Sequence, residues 1–424
     1  MKLAVLCPHF APDLAPTGEV ITRIVLELVD RGHELHVVTA LPWYVEHRVA
    51  PAWSGRLARV EATEWGSITR VHPFPTDKRS IPRRAAAFAA FSALAGAAGL
   101  RGGRVDGVMA MSPPLTLGLT GWGMAQLRGR PLVFNIQDVF PDVAVEVGAI
   151  SDHRVVMAAQ ALERASYRRA DVVTVLSEDL RRNVAAKLPG PERGKVRVIP
   201  NFVDTDAIRP LDRMTAYRRE LGIGDQTVVM YAGNVGFSQS LELLLHAARE
   251  LVHDETVVFL VNGGGSAREA LQRDAAGLPN VRFAPYQPKG RLAEVLATGD
   301  VHVVPLKRGL AASSVPSKTY SILAAGRPLL ASIDLDTEVA RLVAQASCGI
   351  AVPPDDPSAF LIGLQQLLVA PVTAKEMGDN GRAFVEHWVS PGAVAAAYED
   401  LFEELRRRPT PPRTDEPVAS HPRG

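Results

Sequence analysis

Short runs of consecutive apolar residues, each followed by a stretch with helical spacing, recur along this chain and begin again near its midpoint. The first run, Leu3 to Leu6, is apolar without alternation. A strand of that kind is buried on both faces, which places it inside a parallel sheet covered by helices on either side. The following stretch, Val20 to Val29, brings Ile21, Ile24, Val25 and Leu28 onto one helical face. Leu35 to Ala40, Val105 to Met109, Leu132 to Ile136, Val172 to Leu176 and Val196 to Pro200 read as further strands, with helices over Pro114 to Leu127 and Val155 to Ala170. Asn201 to Asp204 and Pro210 are rich in turn formers and read as a link. The alternation then restarts with strands at Thr227 to Tyr231, Val257 to Val261, Val281 to Ala284, Val301 to Pro305 and Leu329 to Ile333. At 424 residues the chain exceeds what one core serves. The expectation is α/β: two tandem doubly wound Rossmann-like domains over 1–204 and 205–390, a C-terminal helix over 391–408, and a Pro- and charge-rich tail over 409–424 expected to be disordered.

Several function classes are disfavoured at once. Lys plus Arg total 47 against 46 Asp plus Glu, so no global charge invites nucleic acid. Cys7 and Cys348 alone give no disulfide framework and no metal-ligand spacing, which fits a reducing cytoplasm. The start, Met1 to Asp13, is apolar for too few residues to be a signal peptide and reads as a first strand. No G-x-G-x-x-G follows that strand and no acid closes the second, where Val38, Thr39 and Ala40 stand, so nicotinamide binding is disfavoured.

The stretch Ser313 to Leu330 has the outline of an anion site. Pro316 suits a helix start, so a helix is expected from Ser317 to Ala325, with Gly326 ending it. Its free N–H groups, its dipole and the Lys318 ammonium would converge on a phosphate. An ordinary cap, with Ser317 holding its own helix and Lys318 in solvent, is the other reading. Gly18, Gly233, Gly236 and Gly263 to Gly265 fall at strand-to-helix turns. Each alone reads as a turn; Gly233, Gly236 and Gly263 to Gly265 together with Lys318 could make an amide-rich wall around a diphosphate, while Gly18 could let a ligand approach the first domain's backbone. Asp138 sits where a strand's carboxyl end gathers ligand groups, and Asp142 reads equally as a cap for the next helix.

Residues 76–104 shift composition: Lys78, Arg79, Arg83, Arg84, Arg101 and Arg104 flank an Ala/Phe/Leu helix over Ala85 to Leu100. It is shorter than the roughly 20 residues of a spanning helix. Two readings stand, an Ala-rich helix packed on the sheet, or an interfacial helix offering Ile81, Phe88, Phe91 and Leu94 to an anionic membrane surface.

Five motifs in register, GHELHVVTALPWY at 32–44, NIQDVFPD at 135–142, VIPNFVD at 198–204, YAGNVGFSQSLELLL at 231–245 and VPSKTYSILAAGRP at 315–328, resemble the retaining family 4 glycosyltransferases of the glycosyltransferase B fold, in particular the colanic acid, capsule and O-antigen subgroup. The resemblance implies two domains facing a cleft, a nucleotide-sugar donor on the second and a saccharide acceptor, polyprenyl-diphosphate-linked, on the first. It implies catalytic roles for Asp138 and Lys318, and donor contacts from Gly18, Gly233, Asn234, Gly236, Gln239, Ser313, Ser314, Ser317 and Ser321, with no cofactor and no metal. Asp138 is preceded by Gln137 where the family often has His. Ser313 and Ser321 stand where the family has Glu-x7-Glu, so the bidentate clasp on the ribose is gone. Asn234 and Gln239 replace donor-loop cations, leaving Lys318 with Lys307 and Arg308 as helpers. A non-catalytic carbohydrate or nucleotide-binding protein, or a nucleotide-sugar epimerase, are the competing readings on this architecture. A cytoplasmic enzyme, peripheral on the inner membrane, is the expected location.

Overall fold

The computed structural model describes all residues except 14, 45–46, 77–80, 143–144, 146–149, 151, 237, 310–317 and 408–424, together with the side chains of 81, 82 and 289. Ser313, Ser314, Ser317, Lys78, Arg79 and the 409–424 tail thus lie outside the described residues. Strands β1 (Lys2–Leu6), β2 (Glu34–Ala40), β3 (Ala58–Thr63), β4 (Gly66–Val71), β5 (Gly107–Ser112), β6 (Leu132–Ile136), β7 (Val172–Val175) and β8 (Val196–Val198) form one sheet. Their order is β3-β4-β2-β1-β5-β6-β7-β8, parallel except where β3 meets β4. Strands β9 (Thr227–Ala232), β10 (Val257–Asn262), β11 (Val281–Ala284), β12 (Val301–Pro305), β13 (Leu329–Ser332) and β14 (Gly349–Val352) form a second, all-parallel sheet ordered β11-β10-β9-β12-β13-β14. The fold is two Rossmann-like α/β domains.

Alternate residues of each strand feed opposite faces. In β1, Leu3 and Val5 pack with Ile21, Ile24 and Leu28 of α1 (Pro16–Asp30), while Ala4 and Leu6 face α2 (Ile81–Gly99) and α3 (Thr116–Arg128). The C-terminal helix Pro391–Arg407 does not stand apart. Val394, Tyr398, Leu401, Phe402 and Leu405 complete the first domain's core beside α1. The chain therefore crosses between domains twice. Ile199 belongs to the first core and Val203 to the second; Val389 belongs to the second and Val394 to the first. The two crossings touch, Val203 N donating to Val389 O at 2.9 Å.

The β3–β4 hairpin was not expected. Arg59 and Val60 on β3 face solvent, so the strand lacks the apolar run that marked the others. α2 also corrects the sequence reading. It is longer than expected, and with the turn that follows it Arg83–Gly102 is long and apolar enough to cross a membrane. Its apolar side is nevertheless spent on the protein: Ala87, Phe91, Ala95 and Ala98 are buried, and Leu94 packs on the same core. The outward face carries Ala85, Ala86, Ala89 and Ala90 beside Arg83 and Arg84.

Candidate active site

The strand order of the second sheet reverses between β9 and β12, and open parallel sheets take ligands at the carboxyl ends beside such a reversal. Lys318 opens the helix Lys318–Ala324 that follows β12. Its Nζ donates to the Tyr231 hydroxyl at 2.7 Å and lies 4.2 Å from that ring's centroid. The hydroxyl in turn donates to Asn234 O at 2.5 Å. Lys318 is therefore drawn in against β9, not left in solvent. Burial pulls its pKa down to about 8, because no carboxylate among the described residues pairs with the ammonium. Gly233, with φ +143°, keeps the approach open: a Cβ there would stand 3.1 Å from Lys318 Nζ.

Of the glycine amides expected to line a wall, those of Gly233, Gly236 and Gly263 are paired within the protein. Gly233 N donates to Asn262 O at 2.9 Å, Val235 N to Gly264 O at 2.8 Å, and Gly263 N to Ala284 O at 2.9 Å. Gly236 N donates to Oε1 of Gln239 at 3.0 Å. The loops after β9 and β10 thus satisfy one another, and the amides of Gly233, Gly236 and Gly263 are already occupied. Arg308 donates from its guanidinium to Pro354 O at 3.3 Å and from its amide to Asp355 Oδ2 at 3.0 Å. Lys307 is placed beside the site through its own amide on Ser238 O at 3.1 Å. Asn234 is exposed on the donor loop, and Ser321 lies one turn along from Lys318 on the same helical face.

In the first domain Asp138 stands two residues beyond β6, open to solvent on one side and walled by protein enough on the other that desolvation raises its carboxyl pKa. Gln137 turns inward instead. It accepts from Asn201 at 2.9 Å and donates to Asn135 at 2.7 Å, which donates to the Tyr398 hydroxyl at 2.8 Å. The Asp142 carboxylate accepts from Lys187 at 2.7 Å and Asn183 at 3.0 Å, and the residues that it would cap, 143–144, lie outside the described residues.

Sequence reasoning passed over His9. Its Nδ1 meets Asp13 Oδ2 at 2.6 Å, and the other oxygen of Asp13 accepts the amides of Trp43 at 3.2 Å and Tyr44 at 3.0 Å. Gly18 serves this pair, not an open ligand face: a Cβ at Gly18 would lie 2.9 Å from His9 Cβ. The rule that singled out Asp138 at a strand's carboxyl end applied equally to the loop after β1.

The carboxyl edges of the two sheets face each other. The helices that follow β7 and β13 meet end to end, Glu178 N donating to Glu338 Oε2 at 3.3 Å and Glu338 N to Asp179 Oδ2 at 3.1 Å. Arg341 clamps the junction through Asp179 at 2.9 Å. Among the described residues no three His, Cys, Asp or Glu side chains group closely enough to hold a metal ion.

Comparison with known proteins agrees with this arrangement. The Glycosyl transferase 4-like domain family matches residues 17–201, and the Glycosyl transferases group 1 family matches residues 226–369. The proposed colanic acid biosynthesis glycosyl transferase WcaI of Escherichia coli (strain K12) is 30% identical over 388 residues, 88% of this chain and 93% of that protein. Sucrose-phosphate synthase from Thermosynechococcus elongatus superposes with a TM-score of 0.68 at 19% identity, covering 96% of this chain and 99% of that one. HepE of Anabaena, solved with UDP-glucose, superposes with a TM-score of 0.60 at 13% identity, covering 96% and 100%. With both halves matched in order, and with paired Rossmann-like domains whose carboxyl edges oppose, this chain belongs to the glycosyltransferase family that joins a glycosyl transferase 4-like domain to a group 1 domain in the glycosyltransferase B fold.

Proposed function

We propose that this glycosyltransferase moves a sugar, with retention at the anomeric carbon and without a metal ion, from a nucleoside-diphosphate sugar to a polyprenyl-diphosphate-linked saccharide in cell-surface polysaccharide biosynthesis. The observation that carries the donor part is Lys318, an ammonium drawn against Tyr231 with no carboxylate partner among the described residues, at the second sheet's strand-order reversal. A desolvated, unpaired cation is costly and gains most from an arriving diphosphate. The name of WcaI supports the polysaccharide assignment, and the complex of HepE with UDP-glucose supports a nucleotide sugar.

In the proposed reaction an acceptor hydroxyl oxygen forms a bond to the anomeric carbon as the bond from that carbon to the diphosphate breaks. The electron pair stays with the departing phosphate oxygen, which takes the hydroxyl proton on the same face. Lys318 offsets the charge that grows on the leaving group. Asp138 positions the sugar or acceptor and forms no covalent bond.

The same reading places the enzyme in the cytoplasm at the inner membrane. Exposed Arg83, Arg84, Arg101 and Arg104 would engage anionic lipid, each contributing on the order of 1 kcal/mol. Because Phe91 is spent on the core, the attachment is electrostatic and not inserted.

The test is release of free nucleoside diphosphate from a panel of nucleotide sugars on addition of a lipid-linked saccharide, with the product anomer read by NMR. Release is expected to persist in excess EDTA. Loss on chelation, restored by Mg or Mn, would remove the metal-free assignment, and nucleotide binding with no release would favour a non-catalytic binding protein.

A further inference from the structure

Two carboxylates pin the loops at the carboxyl edge of the second sheet to one another. Successive amides after β12 are all engaged: Leu306 N donates to Ser332 O at 2.9 Å and Lys307 N to Ser238 O at 3.1 Å, then Arg308 N to Asp355 Oδ2 at 3.0 Å and Gly309 N to Asp334 Oδ2 at 2.7 Å. Asp355 holds a second loop as well. Its other oxygen accepts from the hydroxyl of Ser240, a buried residue at the end of the donor loop after β9. One side chain after β14 thus ties the loop after β9 to the loop after β12, the two loops that flank the strand-order reversal beside Lys318.

The helix that follows does not need this carboxylate. Asp356 caps Pro357–Val369, accepting from Ala359 N at 2.9 Å, while its neighbour Asp355 reaches the other way. Asp355 takes φ +55°, in the left-handed region that glycine enters freely and other residues enter at a cost, and residues held there gather at functional sites. What aspartate adds over glycine at that φ is the carboxylate. Burial alone would raise its pKa, but the Ser240 hydroxyl, the Arg308 amide and the charges of Arg308 and Lys307 outweigh burial and hold it below the usual carboxylate range. Asp355 is therefore an anion at neutral pH, unsuited to meet a phosphate itself. Lys307 is the group it leaves available. That ammonium forms no ion pair among the described residues, and the backbone beneath it is pinned at its own amide and at the next. A cation on a base fixed this way is preorganised for an anion arriving between it and the donor loop.

We propose that Asp355 is a positioning residue for the donor diphosphate: through Ser240 and the Arg308 amide it sets the donor loop and Lys307 at the spacing that the diphosphate bridges. The assignment rests on the donor reading above. The probes are uridine, guanosine and adenosine diphosphates, titrated calorimetrically where every protein is folded. They are added to wild type, Asp355→Gly, Asp355→Asn, Ser240→Ala, the double variant Asp355→Gly with Ser240→Ala, and Asp356→Ala. Asp355→Gly suits the positive φ and removes only the carboxylate, Asp355→Asn keeps one accepting oxygen, and Ser240→Ala removes one of the two partners. A nucleotide that binds wild type is expected to lose about tenfold in affinity in Asp355→Gly and less in Asp355→Asn and Ser240→Ala. The double variant is expected to lose no more than Asp355→Gly, because the Ser240 contact is part of what Asp355 does. Asp356→Ala, which deletes the adjacent helix cap, is expected to lower Tm and leave affinity unchanged. Unchanged affinity in Asp355→Gly, or an equal loss in Asp356→Ala, overturns the proposal. If Asp355→Gly fails to fold, unchanged affinity in Asp355→Asn and Ser240→Ala overturns it equally. Failure of every nucleotide to bind wild type removes the donor reading and this proposal with it, whereas binding that no Asp355 or Ser240 variant weakens removes this proposal alone.

Discussion

Lys318 carries its proton where the protein gives it little help, and that sets its response to pH. Its pKa, lowered from the usual value near 10.5 to about 8 by desolvation, means that the free enzyme loses this charge as pH rises through about 8. Affinity for nucleoside diphosphate is therefore expected to fall between pH 7 and 9 in wild type, and to hold to higher pH in Lys318→Arg, whose guanidinium stays charged. Lys318→Ala is expected to weaken donor binding and turnover together by about 1.5 to 3 kcal/mol, the range of a charge-assisted contact. Calorimetric titration across that pH range checks both, and an unchanged affinity in Lys318→Ala would return the residue to a structural role on Tyr231. Lys318 was legible because a Pro-Ser-Lys corner before an apolar helix is a local signal. The amide pairing between Gly233 and Asn262 was not, because it is decided between loops about 30 residues apart in sequence. His9 was legible in part, since its partner Asp13 lies only four residues on, whereas its ring contacts with Trp43 and Tyr44 are decided between distant segments.

At the scale of elements, strands buried on both faces announced themselves as unbroken apolar runs, and β1, β6, β11 and β12 stand within a residue of where the sequence placed them. The β3–β4 hairpin gave no such signal because β3 is an edge strand with charged, exposed residues, as edges that resist further pairing are. α2 shows composition leaving a choice that packing settles: an Ala-rich helix between cations reads as interfacial or as packed on the sheet, and tertiary contact claims Phe91 and Ala98. α3 depends on close approach. A Cβ at Gly118, in the first turn of the helix, would lie 2.8 Å from both Cε1 and Cζ of Phe134 and from Ser166 Cβ. Although alanine favours helices over glycine, Gly118→Ala is expected to destabilise the protein by about 1 to 3 kcal/mol through overpacking. A Tm equal to or above wild type would show that the neighbours can move aside.

The whole molecule is two domains joined at the paired crossings and touching again between their carboxyl edges at Glu178, Asp179, Glu338 and Arg341. Its surface makes a testable prediction about location. Wild type is expected to float with vesicles rich in anionic lipid at low salt and to release near 1 M salt, where the screening length is about 3 Å. Arg83→Glu with Arg84→Glu is expected to reduce flotation without changing Tm, since both side chains are exposed. Equal flotation of both proteins, or of neither, would leave α2 as a core helix and nothing more.

The paired crossings at 199–203 and 389–394 carry a consequence for how the molecule comes into being. The apolar surface made by Leu3, Val5 and Met109 beside α1 is closed only when Tyr398, Phe402 and Leu405 arrive. A chain emerging from the ribosome in order must therefore carry its first half unfinished, with that surface bare, through the synthesis of the whole second half. The half made first is the half completed last.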